Sequence, residues 1–110
     1  MAPTAILVRH TLPVTPEPAA PVTVVVLTGD LDSTNSADML ARLNAAVETA
    51  ADVQVDLAGV RFINSAAASA ILVARRTAAA RGQRLWVGEM SENVRQALEV
   101  MCLVSLLTSR

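Results

Sequence analysis

A short segment in the middle of the chain, residues 64–69, combines polar side chains with a place where a strand should end and a helix begin. The apolar pattern Val53–Leu57 precedes it, and an alanine-rich helical pattern follows as far as Arg81. Backbone N–H groups in the first turn of a helix have no partner within the helix, so they favour an anion, a phosphate or a capping oxygen. The six residues are Asn64, Ser65, Ala66, Ala67, Ala68 and Ser69.

Three other residues could do chemistry, and each has an ordinary alternative. Asp30 and Asp32 follow a strand and could border the same surface, although Asp30 is better explained as part of a solvated turn. Neither has further ligands at suitable spacing, so we predict no metal and no cofactor. His10 has no nucleophile and acid around it in the sequence, which argues against an enzyme.

Composition excludes several classes of function. The chain has 110 residues and a formal charge of -1, and its only aromatic residues are Phe62 and Trp86. Nucleic-acid binding needs a basic excess or stacking platforms, so it is not expected. Cys102 is a single cysteine, which fits a reducing cytoplasm and predicts a small buried apolar residue. No run approaches the ~18 apolar residues of a membrane span, so we expect a cytoplasmic protein with no membrane association.

The order of apolar patterns predicts an α/β fold with a small, mixed, mostly parallel sheet of four to five strands and three to four helices. We expect one domain over residues 1–110, with an N-terminal strand and proline-rich loop in 1–21 and the core in 22–107. Val22–Thr28 should be a central strand that ends at Gly29. The other expected strands are Ala5–His10, Val53–Leu57 and Arg84–Gly88, and the expected helices cover Ser36–Ala50, Ser65–Arg81 and a segment capped by Ser91, before an apolar tail at Leu103–Leu107.

With these elements in this order, the chain resembles the STAS family, which is named for sulfate transporters and anti-sigma factor antagonists. The resemblance covers about Val22–Leu107 and rests on four segments together, since none is specific alone. The family pattern Asp-Ser-Ser-Gly-Leu-Gly falls directly on residues 64–69. The four segments are Gly29–Asp32, Asp56–Ile63, Arg81–Gly82 and Ser91–Leu107.

The resemblance implies partner switching, in which the unphosphorylated domain binds an anti-sigma factor and phosphorylation of the second serine of the pattern breaks the complex. That serine corresponds to Ala66, which has no hydroxyl to phosphorylate. Ser65 matches the first serine and is either the helix N-cap or a substitute acceptor. Ser69 either joins the binding surface or packs closely on the sheet. The expected partner-binding residues are Asp32, Asn64, Ser65, Ala67, Ala68 and Ser69.

The predicted function is therefore that of a non-enzymatic bacterial regulator of transcription, similar to an anti-sigma factor antagonist. Its expected partner is an anti-sigma factor or a related regulator with a kinase fold. The alternative is a diverged STAS module that docks in another signalling assembly or senses a small anion or nucleotide at the same helix N-terminus. We expect a monomer or weak homodimer, because an exposed strand edge permits pairing.

Overall fold

Strands and helices alternate along the chain in the computed structural model, which describes residues 6–11, 22–49 and 51–110. The strands are β1 (Ile6–Thr11), β2 (Val22–Leu31), β3 (Asp52–Ile63) and β4 (Leu85–Met90). The helices are α1 (Ser36–Val47), α2 (Ser65–Ala80), α3 (Glu92–Val100) and α4 (Val104–Thr108). Among the described helices, none has the length and apolar character needed to cross a membrane.

The sheet has the order β1-β2-β3-β4. Strands β2, β3 and β4 are parallel, and β1 pairs antiparallel with β2. This confirms the predicted α/β class and the central position of β2, and the four helices lie within the predicted three to four. The sheet has four strands, the lower of the two predicted numbers; three of them are parallel, and no fifth strand is present in the described residues. The proline-rich loop lies outside the described residues.

The core lies between the sheet and the helices that cover one of its faces. In β3, Val53, Val55 and Leu57 are fully buried, whereas the alternating residues Gln54 and Asp56 are partly exposed. This is the period of two expected for a strand with one buried face. The largest fully buried side chains on the helices are Met39, Leu43, Ile71, Leu98 and Leu107.

Two strands are longer than the sequence predicts, and this difference shapes the candidate site. β2 continues past Gly29 to Leu31, and β3 continues past Gly59 to Ile63. Their parallel pairing shifts register between Val26 and Thr28 and again between Gly29 and Asp30. Such irregularities in the pairing allow a strand to contain a residue with positive φ. Gly29, with φ 87°, therefore lies within β2 and does not end it.

Cys102 is exposed, so the prediction of a buried residue is wrong. It follows α3 in the left-handed backbone region, with φ 58°. The Leu103 N–H donates to the Leu98 carbonyl at 2.8 Å, and the Cys102 N–H donates to the Glu99 carbonyl at 3.0 Å. These two bonds form a Schellman motif, in which glycine is the usual residue at the position of Cys102.

Replacement of Cys102 by glycine is expected to raise the free energy of unfolding by about 1 kcal/mol, because glycine adopts positive φ without steric cost. Gly82 provides the matched control, since it follows α2 with φ 72° and a Cβ added there would meet no neighbouring atom within 4 Å. Gly82→Ala should lower the free energy of unfolding by about 1 kcal/mol. Chemical denaturation followed by circular dichroism measures both, and a destabilised Cys102→Gly variant would contradict the explanation.

Candidate functional site

The carboxyl ends of β2 and β3 bring two separate segments side by side. Leu31 pairs with Ile63 in the sheet, and the Asn64 N–H donates to the Leu31 carbonyl at 3.1 Å. Asp32 follows directly after Leu31, while Asn64 begins the connection to α2. The segment after β2 and the start of α2 therefore share one edge of the sheet, as parallel strands require.

Asn64 is the N-cap of α2. Its backbone is extended, with φ -108° and ψ 179°, and its side-chain oxygen accepts a hydrogen bond from the Ala67 N–H at 3.1 Å. Ser65 is instead the first residue of the helix and is exposed. The interpretation of Ser65 as the cap is wrong, because Asn64 already supplies the capping oxygen.

The first turns of α2 separate the predicted binding residues into two groups. Ala67 and Ala68 are only 0% and 1% exposed, so their side chains belong to the core and cannot contact a partner in this structure. Ser65 and Ser69 are exposed and Ala66 is partly exposed. Positions 67, 68 and 71 lie on the inward face at helical spacing, which is why the two alanines must be removed from the predicted surface.

Asp32 lies in a closed polar turn before α1. Its Oδ1 accepts a hydrogen bond from the Thr34 N–H at 2.9 Å and another from the Thr34 hydroxyl, and its own N–H donates to Asn35 Oδ1 at 3.0 Å. The hydrogen bonds from Thr34 lower the pKa of the Asp32 carboxyl group. They favour the charged form, so Asp32 provides a fixed negative charge beside the start of α2.

The residues around Asp32 also correct the expectation of a simple solvated turn. Asp30 forms an ion pair with Arg61, at 3.2 Å between the carboxylate and guanidinium. The Asn35 side chain donates to the Asp30 carbonyl at 2.8 Å instead of capping α1. The spacing of Asp32 and Thr34 is typical of a side-chain turn and could have indicated this arrangement from the sequence.

The structure also has an open groove that no pattern in the sequence indicates. It lies between the end of β3 and α3 and has a volume of about 390 Å³. Phe62 is 52% exposed and Val100 is 86% exposed beside it. The other residues that line the groove are Arg61, Ile63, Asn93, Gln96 and Ala97.

We use the name switch surface for Asp32, Asn64, Ser65, Ala66 and Ser69. This surface has small side chains and one fixed carboxylate, and the exposed Phe62 lies two residues before Asn64 in the chain. Such a mixture suits contact with another protein, where an aromatic residue can bury area and polar groups set orientation. The described residues contain no group of three or more metal-ligating side chains that could hold a metal ion.

Three solved structures with the same fold are similar over most of their length. An unphosphorylated anti-sigma factor antagonist, SpoIIAA, has a TM-score of 0.69 and 20% identity, covering 94% of this chain and 86% of its own. An anti-sigma factor antagonist from Mycobacterium paratuberculosis has a TM-score of 0.75 and 17% identity, with coverage of 96% and 83%.

The third structure is the phosphorylated form of the Bacillus cell fate determinant SpoIIAA, with a TM-score of 0.61, 18% identity and coverage of 94% and 89%. No curated protein sequence matches the chain significantly. A family model described as "Mlab, STAS domain" matches residues 17–108. The match covers both segments of the switch surface, and the chain belongs to the STAS domain family.

Proposed function

We propose that this protein is a non-enzymatic regulator, similar to an anti-sigma factor antagonist, that binds an anti-sigma factor or a related kinase-type partner through the switch surface. The observation that carries the proposal is the position of Ala66. It lies, partly exposed, in the first turn of α2, where the family pattern has its phosphorylated serine. Membership of the STAS family and the fold shared with SpoIIAA support the same function.

The chemistry of Ala66 makes the proposed complex insensitive to phosphorylation at that position. A phosphate group would add about -1.5 to -2 charge and three acceptor oxygens to a surface that must lose water on binding. A methyl group adds none of these. The protein would therefore stay competent to bind its partner while a kinase-type regulator is active, in the cytoplasm and as a monomer or weak homodimer.

A direct binding experiment tests the proposal. The full chain is titrated with a kinase-type anti-sigma factor from the same genome, first alone and then bound to its sigma factor, and complex formation is measured by calorimetry. Binding accompanied by release of the sigma factor would support the proposal. Failure to bind any such anti-sigma factor would exclude the antagonist function.

Ala66→Ser is expected to introduce a phosphorylation site that the wild type does not have. Incubation with the partner kinase and ATP, followed by mass spectrometry, should leave the wild type unmodified and add one phosphate to the variant at residue 66. Ser65→Ala in the Ala66→Ser background is the matched control and should not reduce the modification. Efficient phosphorylation of the wild type at Ser65 would contradict constitutive binding and identify Ser65 as the substitute acceptor.

A second candidate function is docking in a different signalling assembly. The lack of a phosphorylatable side chain at Ala66 favours it, because a permanent component of a complex needs no phosphate switch. Sensing of an anion at the start of α2 has less support, since Asn64 Oδ1 already accepts the Ala67 N–H at 3.1 Å. A thermal-shift screen separates these alternatives, because a ligand at 100 times its dissociation constant adds about 2.7 kcal/mol of stability.

A further inference from the structure

A pocket lined by arginines lies toward the other end of α2, away from the switch surface. It begins at Arg75, about 15 Å along the helix axis from Ser65 at 1.5 Å per residue. Its volume is about 170 Å³. The residues that line this arginine pocket are Arg75, Ala79, Gln83, Arg84, Leu85 and Arg110.

Arg75 is held in place by the protein. Its Nη1 donates to the carbonyl oxygens of Leu85 and Ser109, both at 2.8 Å, and its Nη2 donates to Ser109 Oγ at 3.2 Å. A guanidinium group has more N–H donors than these three bonds use. Arg75 therefore presents a positive charge whose position is already fixed before any ligand binds.

The other polar residues of the pocket are held to different degrees. The Arg110 guanidinium lies over the ring of Trp86, 4.9 Å from its centre. The Arg84 N–H donates to Asp52 Oδ1 at 2.9 Å, and its carbonyl accepts from the Val53 N–H at 2.8 Å, so its backbone is fixed while its side chain is exposed. The Gln83 side-chain amide donates hydrogen bonds to the carbonyls of Val47 and Ala51.

Within the described part of the chain, no carboxylate forms an ion pair with the arginines that line the pocket. Among the described residues, Arg42 and Arg61 are the arginines that form ion pairs, and neither lines this pocket. The Asp52 carboxylate accepts the Arg84 backbone N–H. This carboxylate and the partial charge of about -0.5 at the end of α2 offset part of the charge of the three guanidinium groups, and the net charge around the pocket stays positive.

We propose that the arginine pocket binds the phosphate or diphosphate group of a soluble small molecule. Guanidinium groups recognise phosphate oxygens with charge-assisted, often bidentate hydrogen bonds, and the preformed position of the Arg75 guanidinium lowers the entropy lost on binding. The pocket is smaller than the ~300–1,000 Å³ that encloses a whole drug-sized ligand. It therefore holds the phosphorylated end of the molecule, with the rest outside. This site is separate from the switch surface and does not depend on the proposed partner.

Calorimetric titration of the full chain with pyrophosphate at low ionic strength tests the proposal. Binding with a dissociation constant below about 1 mM is expected for the wild type. Arg84→Gln and Arg110→Gln should each weaken it about three- to fivefold. Arg95→Gln on α3 is the matched control, because Arg95 is also an exposed arginine but does not line the pocket, and it should leave binding unchanged.

Three results would overturn the proposal. The first is the absence of pyrophosphate binding to the wild type at 10 times that limit, about 10 mM. The second is a loss of affinity in Arg95→Gln as large as that in Arg84→Gln and Arg110→Gln, which would mean that pyrophosphate is attracted by the overall positive charge of the surface and not by the pocket. The third is binding to vesicles that contain an anionic phospholipid without any binding of pyrophosphate, which would mean that the arginines of the pocket bind a membrane surface and not a soluble molecule. Circular dichroism of each variant checks that it is folded.

Discussion

Replacement of Ile71 by alanine is expected to lower the free energy of unfolding by about 2–5 kcal/mol. Ile71 is fully buried, with 0% of its surface exposed, on the face of α2 that covers the sheet. Removal of its outer carbons loses the free energy of transfer from water and leaves a cavity that the surrounding core fills only in part. Urea denaturation followed by circular dichroism gives the change directly.

Val73→Ala is the matched control for Ile71→Ala. Val73 is on the same helix, two residues further along, but is 44% exposed. Its replacement should change the free energy of unfolding by no more than about 0.5 kcal/mol, as for most surface positions. Equal losses in the two variants would contradict the orientation of α2, and the same orientation exposes Ser65 and Ser69 at the switch surface.

Ala66→Glu is expected to have opposite effects on folding and on binding. A carboxylate in the first turn of α2 interacts favourably with the helix dipole and should raise the free energy of unfolding by about 0.3–1 kcal/mol. At the proposed interface the same charge must lose water without a partner, so affinity for the kinase-type partner should fall at least about tenfold. Denaturation and calorimetric titration of one preparation measure both quantities.

Ala66→Gln separates the effect of charge from that of size, because glutamine has nearly the same shape as glutamate. It should lose much less affinity than Ala66→Glu and gain little stability. If Ala66→Glu binds the partner as tightly as the wild type does, residue 66 does not lie at the interface and the proposed position of the switch surface is wrong. If Ala66→Glu and Ala66→Gln lose affinity equally, the size of the side chain at residue 66, and not its charge, weakens the binding.

Much of the fold could be predicted because its signals are local. The run of β-branched residues in β2, the alternation in Val53–Leu57 and the capping residue Ser91 before α3 each indicate an element directly. The strand ends are harder to predict. Gly29 and Gly59 suggest that the strands end, but β2 and β3 remain paired beyond both glycines because the register of their pairing shifts there. The apolar tail also forms the short helix α4, whose Leu107 is buried against the core.

The candidate site was predicted less completely, since its details depend on contacts between distant residues. The start of α2 was located correctly, but which of Asn64 and Ser65 caps it depends on the backbone angles of Asn64. Ala67 and Ala68 looked like surface residues only by analogy with the family pattern. The groove beside Phe62 and the arginine pocket are formed by segments far apart in sequence, so no local pattern could show them.

Arg75 also affects how the sheet meets other chains. The Arg84 carbonyl accepts a hydrogen bond from Val53 and therefore faces β3, so the next carbonyl, that of Leu85, points away from β3. β4 is the last strand of the described sheet, and its outward groups are a template for an added strand. The Arg75 guanidinium donates a hydrogen bond to the Leu85 carbonyl at 2.8 Å and places a positive charge at that edge. Strand addition at the start of β4 must first displace this guanidinium, which protects the protein against growth of the sheet from one chain into the next.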